Sequence, residues 1–555
     1  MEDSDAVEGR SGLLQRRHQP VLGDFSVDHR MVIVTLLALP IGALAGGAAY
    51  VLLRLIGLVT NLVFFHRAAT DLVAPGSAHD PWWLILLAPV AGGLVVGLMA
   101  RFGSEKIRGH GMPEAIEAIL TGGSRVSPKV TVLKPLSAAV SIGTGGPFGA
   151  EGPIIMTGGA LGSLVAQLLR LTADERKALL VAGAAAGMAA TFNSPLAAVL
   201  LAVELLLFEW RPRSFVPAVA AVGVATVLRT YLLGGGPVFG VPQATIRLDP
   251  VVNMLSIACG LSGGLLALGA TWLVYKAEDA FHRLPLHWMW WPAIGGVIIG
   301  LGGLIEPKAL GVGYDVIDSL LTGRAPLTLI LGILVVKTLI WSLSLGSGTS
   351  GGVLAPMFMI GGALGALEGT VLPHVAPGFW AMCGLAAVLG GLMRSPLTGV
   401  VFTLELTHQW GALLPLLLAS TAAYALSVLV LKRSVLTEKI ARRGLHLTRE
   451  YSTDPLETFF VRDVMHPATG AAAASVAGTV LEVRPDTTLR SVAYLFAEQE
   501  AAVARVVDAD DLIVGVVTLP DLLQARLHDL TEEHHRARTL LASGIRRRPT
   551  GAAGR

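Results

Sequence analysis

Several long stretches of the chain contain no Asp, Glu, Lys or Arg, among them 31–53, 82–100, 178–203, 251–275, 338–367 and 411–431. A helix that crosses a bilayer needs about 20 apolar residues, so each stretch is predicted to span. The first lies too far from the start, behind a polar segment, to read as a signal peptide. Two further runs are uncharged but interrupted. One is 135–150, with Gly143, Gly145, Gly146, Pro147 and Gly149; the other surrounds Gly346 to Pro356. Backbone at membrane depth that is not helical is tolerated where it is buried in protein or lines a polar cavity. Glycine is also common in packed transmembrane helices, so the clusters need a second argument.

That argument is repetition. Pro153-Ile-Ile-Met-Thr-Gly-Gly-Ala-Leu-Gly162 recurs as Pro356-Met-Phe-Met-Ile-Gly-Gly-Ala-Leu-Gly365, 203 residues on (356 less 153). Asn193-Ser-Pro-Leu-Ala-Ala-Val199 recurs as Arg394-Ser-Pro-Leu-Thr-Gly-Val400, and Glu204 falls on Glu405, both 201 residues on (395 less 194; 405 less 204). Two matches at nearly one spacing mark an internal duplication, with halves at about 30–245 and 246–445. Paired halves with broken helices bring half-helix ends to a site near the middle of the membrane.

Composition supports an integral membrane protein. Of 555 residues, 53% are hydrophobic and 15% charged, against about 25% charged in soluble domains. A net charge of +2 is too small for a nucleic-acid footprint. Cys259 and Cys383 both sit in apolar runs, so no disulfide framework is expected.

Three Gly/Pro segments read as loop-to-helix starts: Gly109-His110-Gly111-Met112-Pro113, Gly149-Ala150-Glu151-Gly152-Pro153 and Gly352-Val353-Leu354-Ala355-Pro356. A helix N-terminus presents unpaired N–H groups and about half a positive charge, and so attracts anions. Proline in the first turn is pre-set for helix, and glycine admits close approach of an ion. Three such starts aimed at one place would solvate an anion with amides, needing no fixed cationic side chain.

These three segments, with Glu114 after the first, resemble the selectivity motifs of the CLC chloride channel and transporter family. The segments 192–204 and 394–405 resemble its flanking helices, and the likeness covers roughly 30–445. It implies a mainly α, polytopic fold of short, tilted and broken helices in two inverted repeats, assembled as a homodimer with one pore per subunit. It also implies that Glu151 is the gate, its carboxylate mimicking the anion. The residue-level alternative for Glu151 is a structural acid at a helix start, although a carboxylate in an apolar run is usually functional.

Three positions depart from the family pattern. His110 replaces the usual Ser of the inner anion site. It either packs away or adds a titratable donor that strengthens anion binding at low pH. Leu436 stands where an inner-gate Tyr is usual and cannot hydrogen-bond, so the inner gate is expected to be wider or hydrophobic. Leu205 stands where proton-coupled members carry a second acid. Glu204, one residue earlier, is rotated by about 100° on a helix and is a poor substitute on a proton path; Glu209 is a further candidate, and Glu405 is expected to be structural. The missing acid leans toward passive conduction or weakly coupled exchange.

Lys432, Arg433, Lys439, Arg442 and Arg443 follow the last apolar run, while Arg10, Arg16, Arg17 and Arg30 precede or border the first. The positive-inside rule then puts both termini in the cytoplasm of a cell-membrane protein. A cytosolic segment is expected over 1–29 and a flexible tail over 531–555. Residues 456–530 read as a small α/β block with strands at 480–483, 502–507 and 513–517 and a helix at 489–499. This block resembles one CBS motif, which implies that Thr518 and Asp521 contact the ribose of an adenine nucleotide; packing between subunits is the alternative.

The leading function is an anion channel or transporter, with chloride as the default ion and no cofactor required. A proton/chloride exchanger and a carrier of another halide stand beside it. A membrane-anchored nucleotide sensor would leave the broken-helix repeats without a use. An intramembrane enzyme would need a metal-spaced His cluster or paired acids, which the spans lack.

Overall fold

The computed structural model describes residues 29–76, 80–120, 123–242, 246, 249–445, 456, 459–467 and 481–524. The tail 531–555, residues 1–28 with Arg10, Arg16 and Arg17, and position 480 lie outside them. Two compact units divide between Arg449 and Glu450.

In the first unit one half runs α1 (Arg30–Phe64), α2 (Trp82–Phe102), α3 (Met112–Leu120), α4 (Pro128–Gly143), α5 (Glu151–Leu168), α6 (Ala173–Phe192), α7 (Pro195–Leu201) and α8 (Pro212–Leu232). The order then repeats as α9 (Pro250–His282), α10 (Trp291–Ile305), α11 (Tyr314–Leu321), the rod α12–α13 (Leu327–Gly332 and Thr338–Gly346), α14 (Leu354–Glu368), α15 (Phe379–Met393), α16 (Pro396–Thr407) and α17 (Leu413–Val430). α18 (Val435–Arg442) follows. Packing repeats as well: α5 lies on α6 as α14 lies on α15, and α1 on α8 as α9 on α17.

Among the described residues seven helical segments are long and apolar enough to cross a membrane. They differ from the six expected stretches in instructive ways. The stretch 178–203 is not one span. α6 stops at Asn193 in the left-handed region (φ 55°), Ser194 is semi-extended, and Pro195 starts α7. The stretch 338–367 breaks likewise between Gly346 and Leu354. Pro212–Leu232 and Trp288–Ile305 are spans beyond the expected six. Arg213 and Arg229 interrupt the first, and Gly and Pro obscure the second.

The backbone breaks are themselves duplicated. Arg394 ends α15 with φ 57°, as Asn193 ends α6; Phe208 and His408 follow α7 and α16 with φ 53° and 54°. Left-handed backbone is costly for a bulky residue, so its recurrence at matched positions reflects one shared design. α6 and α15 are buried along nearly their whole length, whereas Met254, Leu265 and Trp272 of α9 are exposed, as residues facing lipid tails would be. The fold is a mainly helical, multi-pass membrane unit of two inverted repeats.

The second unit is a four-stranded sheet in the order β1 (His466–Pro467), β4 (Ile513–Thr518), β3 (Val503–Val507), β2 (Glu482–Val483). β2 and β3 are parallel, joined through α19 (Leu489–Glu498), and the other pairs are antiparallel. Its core gathers Val461, Leu489, Val492, Phe496, Val506 and Val517.

Candidate functional site

The two helices that begin at the glycine turns, α5 and α14, begin without a side-chain cap. Ala150 precedes α5 and Val353 precedes α14, and neither can accept from the first-turn N–H groups. By contrast α6, nearer the surface, is closed by a reciprocal Thr172–Glu175 capping box. Uncapped N–H groups at buried helix starts are available to an anion.

The three glycine turns meet. Gly149 and Gly352, which are repeat mates (352 less 149 is 203), form an antiparallel bridge: Gly149 N donates to Gly352 O at 3.2 Å and Gly352 N to Gly149 O at 2.7 Å. Mates that pair with each other in both directions lie on the axis relating the halves. The first turn joins them. Gly109 N donates to Gly348 O at 3.3 Å, Gly351 N donates to Gly109 O at 3.4 Å, and the His110 carbonyl lies against the α-carbon of Gly152. The starts at Met112, Glu151 and Leu354 therefore border one place, with Pro113, Pro153 and Pro356 in their first turns.

Glu151 is fully buried at that place. Its carboxylate packs on Gly149 and Gly352, where a Cβ on either would overlap it. The N–H groups of Glu151 and Ala355 face it but fall short of hydrogen-bond geometry, which leaves both oxygens without a partner. Gly111, at φ 88°, turns the first segment against the Gly152 carbonyl. His110 is buried, with Nδ1 unpartnered. Leu436 is fully buried near the start of α18, and the Tyr275 hydroxyl donates to the neighbouring Val435 carbonyl.

Fixed cations flank the site without entering it. Lys134 is fully buried and donates to the carbonyls of Ile107 (2.8 Å) and Gly109 (2.7 Å) and to Ser350 Oγ (3.3 Å). Lys337, its repeat mate 203 residues on, donates to the carbonyls of Ala309 and Gly311, both at 2.8 Å. Each ammonium is held by neutral carbonyls, so its charge is not cancelled locally. A negative charge between the halves would be favoured, because attraction is poorly screened in an apolar interior. The signal was present in the sequence: a further pair of identical residues at the 203-residue offset.

Glu204 and Glu405 have a definite place. Glu405 accepts from Leu196 N (2.9 Å) and Ala197 N (2.8 Å), the first turn of α7. Glu204 accepts from Leu397 N (3.3 Å), Thr398 N (2.9 Å) and Thr398 Oγ1 (2.5 Å), the first turn of α16. Each half supplies the carboxylate that caps a helix of the other. In the second unit, Asp521 Oδ2 accepts from Thr518 N (2.8 Å) and Thr518 Oγ1 (2.7 Å), and Oδ1 lies 2.9 Å from His466 Nε2.

Residues 91–428, more than half of the chain, match the family model described as voltage gated chloride channel. The chain belongs to the CLC family. It is 30% identical over 375 residues to a putative chloride channel protein ClcB-like of Ralstonia nicotianae, covering 65% of this chain and 86% of that protein. It is 28% identical over 446 residues to the H(+)/Cl(-) exchange transporter ClcA of Klebsiella pneumoniae, covering 77% and 92%. The crystal structure of a slow cyanobacterial Cl−/H+ antiporter superposes with a TM-score of 0.64 at 22% identity, over 75% of this chain and 99% of that one. A CLC-type fluoride/proton antiporter gives 0.60 at 20% identity, over 72% and 97%. At these identities the two structures speak for the CLC fold alone.

Proposed function

We propose that this CLC protein moves chloride through the place where the three turns meet, and that Glu151 is the gate. The observation that carries this reading is the fully buried Glu151 carboxylate, lying on Gly149 and Gly352 at the axis between the halves. There it occupies the position an anion would take. Removing or protonating it frees the uncapped N–H groups of α5 and α14 for the ion.

Conduction, or exchange only weakly coupled to protons, is the mode we favour. Leu205 offers no proton carrier, and the Glu204 oxygens are taken up by α16. Full proton exchange is the second reading, supported by the likeness to ClcA. Another halide remains a candidate substrate, because His110 replaces the usual Ser. A homodimer in the cell membrane with both ends cytoplasmic fits the family resemblance and the basic residues after α17. The activity proposed is transport and not catalysis. In the second unit Thr518 and Asp521 are closed on each other, which favours a packing role over binding of an adenine nucleotide.

Reconstituted liposomes test the whole reading. Wild-type protein is expected to dissipate a chloride gradient in a pH-dependent way, and Glu151→Gln or Glu151→Ala to do so equally at every pH. An unchanged pH response in both variants removes Glu151 from the gate. Uphill proton movement driven by chloride in the wild type would replace conduction with exchange.

A further inference from the structure

The Gly109–Met112 turn has a mate in the other half. At an offset of 202 residues, Gly311-Val312-Gly313-Tyr314 answers Gly109-His110-Gly111-Met112, and Tyr314 opens α11 as Met112 opens α3. The attachment is repeated too. Gly109 N donates to Gly348 O, and Gly311 N donates to Gly145 O at 3.1 Å, 203 residues before Gly348. The Gly311 carbonyl also takes the Lys337 ammonium. A fourth turn therefore reaches the axis, and Glu151 lies toward it. The Glu151 carboxylate acts on Lys337 and Tyr314, whereas the acid that acts on Lys134, on the Gly109 turn, is Glu114.

Tyr314 carries an unmet need. Its hydroxyl oxygen is shielded from solvent and has no hydrogen-bond partner among the described residues. Phe192 and Phe239 lie edge-on to its ring, with centroids at 6.0 and 6.3 Å. Phe192 in turn packs on Phe358 and Phe402, so the surrounding rings offer no acceptor. Arg229, the other charged group that acts on the phenol, has donors only and bonds the Gly234 carbonyl. Both Glu151 oxygens are equally unpartnered. Buried polar groups left unpaired are costly and rare. Here one orphan is a donor and the other a pair of acceptors, and each stands in the field of the other.

We propose that Tyr314 is the positioning residue that receives the gate: when the Glu151 side chain leaves the axis it swings to the α11 side, and the Tyr314 hydroxyl holds its carboxyl by a hydrogen bond. A phenol donates to a carboxylate and accepts from a carboxylic acid, so the contact serves either protonation state. One move satisfies both orphans and clears the uncapped N–H groups of α5 and α14. This inference rests on the gate reading above and adds where the gate goes.

The test is chloride efflux from liposomes holding the full-length protein, measured across pH. If protonation opens the gate, wild-type flux rises as pH falls. Tyr314→Phe, which removes the hydroxyl alone, is expected to lower flux near neutral pH roughly two- to tenfold, the worth of one hydrogen bond. It should also move the pH of half-maximal flux down by up to about one unit, because tenfold in the opening equilibrium equals one pH unit. Tyr314→Met, carrying the residue of the mate position, replaces the Phe variant should that fail to fold. In a Glu151→Ala background Tyr314→Phe is expected to change nothing, because no carboxyl is left to receive. Wild-type flux and pH profile in Tyr314→Phe overturn the inference. An equal loss with and without Glu151 also overturns it, since Tyr314 would then act on the passing anion. A pH response that survives Glu151→Ala overturns the gate reading first, and absence of chloride flux in the wild type overturns transport itself.

Discussion

The turns at Gly149–Pro153 and Gly352–Pro356 share one backbone and differ in their chemistry. Both follow a bridging glycine, start a helix without a side-chain cap and carry proline in the first turn. Yet the mate of Glu151 at the 203-residue offset is Leu354. Around the first turn the same holds: at an offset of 202, set by Gly109 and Gly311, His110 corresponds to Val312 and Glu114 to Val316. The lysines do not follow this division, since Lys134 and Lys337 are both kept. The lesson is that duplication supplied a symmetric frame of amides and buried ammonium groups, and the buried acids of the turns, Glu114 and Glu151, were placed in one half. A gate needs one titrating group, and two carboxylates on the axis would repel each other.

The largest effect expected from breaking this asymmetry is the loss of pH response in Glu151→Ala liposomes. Next come the lysines. Lys337→Met leaves two buried carbonyls without a donor and is expected to cost about 2–6 kcal/mol, from roughly 1–3 kcal/mol for each unsatisfied group. Lys134→Met should cost less, because the Gly109 carbonyl keeps the Gly351 N–H and Ser350 keeps Ser137. Thermal unfolding in detergent measures both, and two variants indistinguishable from wild type would refute the shared framework role. The reciprocal caps come third. Glu204→Ala and Glu405→Ala should each destabilise by about 1 kcal/mol, the ordinary value of a helix cap, with similar effects on flux. A change in proton movement confined to Glu204→Ala would return that residue to a proton path.

The smallest effect lies in the second unit. Burial pushes the Asp521 carboxyl up, but the bonds from Thr518 and His466 outweigh it and hold the group below the ordinary aspartate range. Its contribution is present above the unfolded value of about 3.9 and is lost as pH falls through the lowered one. Hydrogen-exchange protection of residues 513–524, corrected for intrinsic rate, should therefore hold from neutral pH to about 4 and fall below. Asp521→Asn should lower it throughout. Equal protection in wild type and variant would remove the Thr518–Asp521 clasp.

The duplication and the three helix starts were legible because glycine and proline fix local backbone whatever surrounds them. Residues 149, 152, 352 and 356 therefore announced their turns. Span boundaries were less legible, for a stated reason. Absence of charge does not distinguish a continuous helix from two helices joined at a left-handed residue, and neither Asn193 nor Arg394 signals such a joint by hydropathy. Arg229 sits inside a spanning helix because its guanidinium bonds the Gly234 carbonyl nearby, which no charge count foresees. Lys134 and Lys337 were missed for the converse reason. Apolar surroundings and amide donors leave no sign of a cation that acts through carbonyls, as these two do. In the second unit the strands 502–507 and 513–517 and the helix 489–499 fall within a residue or so of β3, β4 and α19, since alternation of buried and exposed positions marks them plainly.

The exchange of carboxylates between α7 and α16 reaches beyond stability. Were the polypeptide cut in the connection between α8 and α9 and its pieces produced separately, neither would own the acid that closes its own broken helix. Each fragment would expose bare amides until it met the other, so the split molecule would have a built-in reason to reassemble as a matched pair.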